Sequence, residues 1–266
     1  HDVVVQDVRI RRGNQHFSGT QDAVWHREGF PHNIVWDHVS VSWGNDELLS
    51  FNDTSATDVQ DVSMLYSIAA NPYPARDNPN APQSCQLFAG SANGTATLAY
   101  NLYANCLNRQ PQFSGGWRAS LINNVMFNGG LGVGGSHNYT AWLLPPGDCS
   151  NNQRGVTWPV ELAYVNNVII PGPDSHADLR AFKSSFNAET LTSNRIWLRG
   201  NEGPFITGAD ADGQWAGVTH RCSSTRARAE ETVEPSWHTA FNYLVIDTDA
   251  VKAHLLGNRG VHPHRA

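Results

Sequence analysis

Lysine is nearly missing from this chain: Lys183 and Lys252 are the only two in 266 residues, and charged residues of all kinds make up 16%. Helix-rich domains usually spend many more Lys, Glu and Ala on their solvent faces, so the shortage argues for strands and turns. Net charge is −6 at pH 7, which excludes general nucleic-acid binding but leaves room for a locally basic cleft facing an acidic polymer. No apolar run approaches the roughly 20 residues of a membrane-spanning helix, so no membrane partner is expected. There is no metal-type C-x-x-C pair either. Cys85, Cys106, Cys149 and Cys222 stand far apart, consistent with two disulfides in an oxidising compartment or with buried thiols. The chain opens directly on strand-like HDVVVQDVRI without a targeting segment and reads as trimmed at both ends.

What is abundant is 23 Gly and 14 Pro together with 40% hydrophobic residues. The stretch Asn33–Phe51 organises the rest. Val35, Asp37, Val39 and Val41 take one parity and Trp36, His38, Ser40 and Ser42 the other, the period of a strand. Trp43-Gly44 then turns the chain and delivers the adjacent acids Asp46 and Glu47. Similar segments recur, anchored on one polar position at Asp7, His38, Ser67, Asn101, Asn124, Asn167 and Asn194. Intervals of roughly 23 to 43 residues with one anchored strand each predict an all-β fold, a parallel β-helix solenoid occupying 1–266 as one domain. Asparagine at a stacked bend tolerates left-handed backbone angles and can bond its equivalents above and below. A β-sandwich, which prefers shorter and more even spacing, is the alternative. Residues 129–158 form a long Gly/Pro-rich excursion. Residues 240–266 are a capping segment, with a helix near Ala250–Leu256 expected to close the open end of the coil.

Candidate chemistry lies between the strands. Asp22 precedes Asp46 by 24 residues (46−22), about one coil, so the two acids are expected on adjacent rungs. Their hard oxygens suit calcium. His16, His26 and His32 flank Asp22 and offer a conventional base or a transition-metal site, although no facial-triad spacing is present. Gly208–Gly213 has only part of a calcium-loop pattern and reads as a turn.

NIVWDHVSVSWGNDE resembles the family-one pectate lyase pattern N-[VI]-x-[IVW]-D-H-x-S-x-S-W-x-x-D-E. NLYANCLNRQPQFSGGWRASLINNVMFN is similar to that family's R-x-P segment and the strand following it, and the C-terminal VKAHLLGNRGVHPHRA to the ending of its bacterial and fungal branch. The resemblance implies a right-handed parallel β-helix, secreted or periplasmic and monomeric, with long loops forming a groove. It implies calcium-assisted β-elimination of an acidic polysaccharide such as pectate. Carried over, Arg109 takes the catalytic position and Asp22, Asp46 and Glu47 hold calcium. Arg118, Trp117 and His26 complete the expected site as substrate-binding side chains. A guanidinium pKa above about 12 makes Arg109 an awkward base, so charge stabilisation is the competing role. Arg109 is expected across one solvent-facing groove from the acids.

Several positions depart from the pattern. Ser50 stands where many members have a further acid, Ser114 where a second arginine often follows, and a binding lysine falls near Cys85; Arg118 is placed to reach the space of that second arginine. Two other functions fit the composition. One is a β-helix glycoside hydrolase using Asp22, Asp46 and Glu47 as acid and base. The other is a non-catalytic glycan-binding solenoid using Trp25, Trp43, Trp117 and Trp142 as stacking platforms.

Overall fold

A computed structural model describes residues 2–13, 21–26, 31–52, 60–73, 83–89, 93–130, 139–143, 160–184, 195–220, 234–239 and 245–257. The chain visits three parallel sheets in rotation. One full coil runs through His32–Asp37 in the first sheet, Ser40–Ser42 in the second and Glu47–Asn52 in the third. The next repeats it as Gln60–Leu65, Ile68–Ala70 and Ser84–Ala89. Among the described residues the first and third sheets each hold seven strands and the second six, with each inner strand paired to its counterparts one coil earlier and one later. Three parallel sheets visited in rotation are consistent with a parallel β-helix. The excursion predicted over 129–158 contributes a strand of its own, Tyr139–Leu143, to the third sheet. No helix among the described residues is long and apolar enough to cross a membrane.

Register explains the core. Val5, Trp36, Met64, Leu98, Leu121, Tyr164 and Leu198 form one column across the first sheet, and the inner members are buried. In the third sheet the matching column is aromatic. Rings of His26, Phe51, Phe88 and Phe113 stack at 4.7, 5.0 and 4.7 Å. Parallel strands place identical positions directly above one another, so a side chain that fits once fits again on each coil.

The bend between the first and second sheets holds two polar columns where the sequence suggested one. Asp7, His38, Tyr66, Tyr100, Asn123, Asn166 and Gly200 share left-handed backbone angles, with φ between 47° and 63°. From the third coil onward the residue after each is polar and buried: Ser67, Asn101, Asn124, Asn167 and Asn201. Their side chains link coil to coil, from Ser67 N–H to Asn101 Oδ1 (2.9 Å) through to Asn201 N–H bonding Gln214 Oε1 (2.9 Å). Asp7 and His38 therefore belong to the outer column, one residue from the ladder that their spacing suggested. A doublet such as Asn123-Asn124 satisfies both columns, so the sequence alone does not say which Asn turns and which bonds. Asn194 lies outside the described residues; the rungs after Asn167 are Asn201 and Gln214.

Each internal rung is saturated. Asn124 Nδ2 donates to Asn167 Oδ1 and Leu98 O (both 2.9 Å), while its Oδ1 accepts from the backbone N–H and the amide of Asn101 (both 3.0 Å). Replacing it with Ala strands buried donors and acceptors on both neighbouring coils. Asn124→Ala is expected to cost about 3 kcal/mol in urea unfolding. A loss below about 0.5 kcal/mol would mean that the ladder contributes little.

The ends are closed differently from the expectation. Gln214 belongs to a short helix, α1 (Ala211–Ala216), capped by Asp210, whose carboxylate accepts from Gly213 N–H (2.7 Å). The stretch Gly208–Gly213, read as a turn, runs into this helix, whose next residue Gln214 is the last rung among the described residues. The helix expected near 250 exists as Thr248–Leu256, but its buried Val251 and Leu255 pack with Tyr100, Ile122, Val125 and Val168. It covers the flank of the coil rather than its open end. Its His254 ring lies 5.0 Å from Tyr100, extending the outer stack of His38, Tyr66 and Tyr100. Cys85 and Cys106 form a disulfide with Cα atoms 5.6 Å apart, while Cys149 and Cys222 lie outside the described residues.

Candidate active site at the second corner

The corner between the second and third sheets opens with another left-handed column, Trp43, Asn71, Asn105 and Asn128. Asn105 Nδ2 donates to Asn71 Oδ1 (2.6 Å), and Asn128 Nδ2 to both Asn105 Oδ1 (2.8 Å) and Asp174 Oδ2 (3.0 Å). This outer ladder fixes where each coil turns. The acids and Arg109 follow immediately after it.

Asp22 and the Asp46-Glu47 pair are brought together by backbone bonding between their two coils. Gln21 O accepts from the N–H groups of Asn45 (3.1 Å) and Asp46 (3.2 Å), and Gln21 N–H donates to Asn45 Oδ1 (2.6 Å). Ala23 N–H donates to Glu47 O (3.0 Å), and Glu47 N–H to Asp22 Oδ1 (3.1 Å). Gly44 is required at this bend: a Cβ there would stand 2.6 Å from Glu47 O and 2.8 Å from Ala23 N. One oxygen from each of Asp22, Asp46 and Glu47 lies within 4.8 Å of the others. Two oxygens held by one calcium at about 2.3–2.6 Å stand no more than about 5.2 Å apart, so the donor set and its spacing fit calcium. Burial raises the Asp22 carboxyl above its ordinary range, opposed by the Ser50 hydroxyl and by the charges of Arg109 and Arg12. Ser50, at the position where an additional acid was absent, donates its hydroxyl to Asp22 Oδ2.

Arg109 reaches the same place from further along the coil. Between the bridge Ser84↔Asn108 and the pair Leu87↔Gln112, its segment advances four residues (112−108) while its neighbour advances three (87−84). The extra residue makes a bulge that bends the strand outward. Arg109 sits there with φ 57°, just before a cis Gln110–Pro111 bond. Its backbone carbonyl accepts from Gln86 N–H (2.8 Å), and its Nη1 pairs with Glu47 Oε1. The Arg109 side chain is 14% exposed. Arg109 and the acids therefore share one corner, with Arg109 touching Glu47 rather than facing the acids across a groove. Arg12, which the sequence did not single out, bonds Asp22 O and Gln21 Oε1 and closes the opposite side.

Three expected substrate-binding residues are placed elsewhere. Trp117 is 1% exposed and packs edge-on against Phe88 (4.9 Å), so it offers no face to a sugar. It begins the next first-sheet strand, where the parity points its indole inward. Arg118 follows it outward on that sheet, where its Nε donates to Glu161 Oε2 (2.5 Å) and its guanidinium lies over the Trp237 ring. His26 faces the coil interior as the end of the aromatic stack on Phe51. Trp25 and Trp43 are exposed at 48% and 43%.

Burial holds the His26 imidazole below its ordinary pKa. The folded state thus binds fewer protons than the unfolded one, and stability falls as pH drops below about 6.5. His26→Phe keeps the stack and removes this loss. Its melting temperature is expected to exceed the parent's by a margin that widens from pH 7.5 to pH 5; a constant margin would place a solvated imidazole there.

No protein-family profile matches the chain. Among curated sequences, a "Probable pectate lyase C" of Aspergillus flavus is 35% identical over 174 residues, which is 65% of this chain and 34% of that protein. The proteins of the same name from Aspergillus oryzae and Aspergillus fumigatus are 35% and 33% identical over 133 residues, 50% of this chain and 28% of theirs. The chain thus spans about a third of the length of these relatives. The likeness supports a pectate-lyase-like family of the fungal kind.

Proposed function

We propose that this chain is a right-handed parallel β-helix polysaccharide lyase, acting outside the cell or in the periplasm on an acidic polymer such as pectate by calcium-assisted β-elimination. The observation that carries this reading is the meeting of Arg109 with Asp22, Asp46 and Glu47 at one corner of the coil. A right-handed course is also the common hand for parallel strands joined by crossovers. The names of the relatives point to the same substrate class.

The reaction breaks the C5–H bond of a uronate and the C4–O glycosidic bond, and forms C4=C5. The proton passes to a base and the leaving oxygen takes the bonding pair and a proton from solvent. Asp22, Asp46 and Glu47 would hold calcium, which supplies Lewis acidity toward the uronate carboxylate and so favours loss of the C5 proton. Arg109 carries a fixed positive charge with a planar fork of donors, suited to the negative charge that develops on the carboxylate side of C5. Glu47 is buried and Asp22, Asp46 and Arg109 are partly so, which strengthens each charged contact relative to open solvent. A second role for the acids, as an acid–base pair of a hydrolase, is disfavoured by three carboxylates clustered together rather than two flanking a bond.

The test is a panel of polygalacturonate, methylated pectin, alginate and glucuronan, each with and without chelator. A lyase raises absorbance at about 235 nm, the signature of the unsaturated uronate that elimination produces. Reducing ends without that absorbance would identify a hydrolase, and binding without either would identify a glycan-binding module.

A further inference from the structure

Glu47 is buried, and the cation it meets comes from two coils away. Val24↔Leu49 sets Asp22 opposite Glu47, and the pairs Glu47↔Ser84 and Ser84↔Asn108 extend the column. Two strand spacings, about 9.6 Å, separate the Glu47 strand from that of Asn108. The intervening Ser84 is small, and its hydroxyl is turned to Asn108 Oδ1 (2.7 Å). Arg109, next to Asn108, passes over this gap and ends on Glu47 Oε1. The same Glu47 carboxylate belongs to the three-acid cluster. Glu47 is therefore claimed twice, by a guanidinium and by the place where a divalent cation fits.

We propose that Arg109 and calcium compete for Glu47, so that calcium binding releases the guanidinium toward solvent. The inference rests on the calcium reading above. Physically, a buried carboxylate needs a counter-charge, and Arg109 supplies it while no divalent ion does. A cation held by Asp22 and Asp46 draws the same carboxylate and removes the guanidinium's partner. A freed Arg109 then meets an acidic sugar only when the cation is in place to meet it too. Arginine and cation become available together, which protects the corner from gripping a uronate in an arrangement that cannot react. The missing bulk at Ser84 is what lets the arginine fold back this far.

Calcium titration by calorimetry is combined with modification by phenylglyoxal, quantified at each arginine by mass spectrometry on the intact chain. Calcium is expected to raise the rate at Arg109 severalfold. Arg118 and Arg199, with half or more of their side chains exposed, should stay constant as internal references. Arg109→Gln is expected to bind calcium about tenfold more tightly than the parent, because its Glu47 has no competing charge. Heat of binding in the variant but not in the parent would also support competition. If calcium binds the parent while Arg109 modification stays unchanged or slows, the exchange is overturned and the calcium site stands. If neither protein binds calcium at millimolar concentration, the calcium reading itself falls. The modification arm uses only the parent, so it decides the question even if the variant does not fold.

Discussion

Arg109→Lys is expected to lower kcat on the preferred polyuronate by about two to three orders of magnitude while KM changes less than about threefold. Lysine keeps one positive charge but loses the planar fork and part of arginine's reach. An interaction made mainly in the transition state shows itself in kcat; one made equally with bound substrate shows itself in KM. A KM rise of tenfold or more with kcat preserved would reduce Arg109 to a carboxylate grip and remove it from the elimination step. The comparison is made at saturating calcium, because the Glu47 contact links the residue to the three-acid cluster proposed to hold it.

Asp46→Ala is expected to cost about two orders of magnitude in activity at sub-millimolar calcium, with partial recovery as calcium is raised. Asp46 is the less buried member of the pair, and its backbone is pinned by Gln21 O and by Ser84 N–H. The substitution therefore removes a ligand without disturbing the bend. Chelation of the parent should have the same effect, and circular dichroism should show the strand signal unchanged in both. Full activity of Asp46→Ala in excess chelator would exclude the cation from the chemistry. Glu47→Gln is a less clear probe, since it also strips Arg109 of its partner.

The two predictions depend on geometry that spacing alone does not supply. Arg118 stands nine residues after Arg109 (118−109) and seemed a natural second arginine for the site. A corner of the coil intervenes, and the side chain points from the first sheet toward Glu161. Trp117, adjacent to it, takes the opposite parity and is sealed in the core. Glu47, by contrast, is 62 residues from Arg109 (109−47) and touches it, because parallel coils convert that separation into two strand spacings, which the arginine side chain bridges over Ser84.

By itself the sequence determined the coil: the recurring alternation, the bend asparagines and the Asp22-to-Asp46 interval are local chemistry repeated, and each repeat carries the same backbone preference. The same interval is enough to place Asp22 and Asp46 on adjacent rungs, where Asp22, Asp46 and Glu47 come together. Only the tertiary structure decided the rest. Which of two adjacent polar residues turns and which bonds inward depends on a one-residue register. Whether His26 and Trp117 meet a ligand or the core depends on strand parity at the start of each coil, which loops of variable length reset. The contact of Arg109 with Glu47 depends on one bulge and one small serine, features whose effect exists only when three coils are stacked.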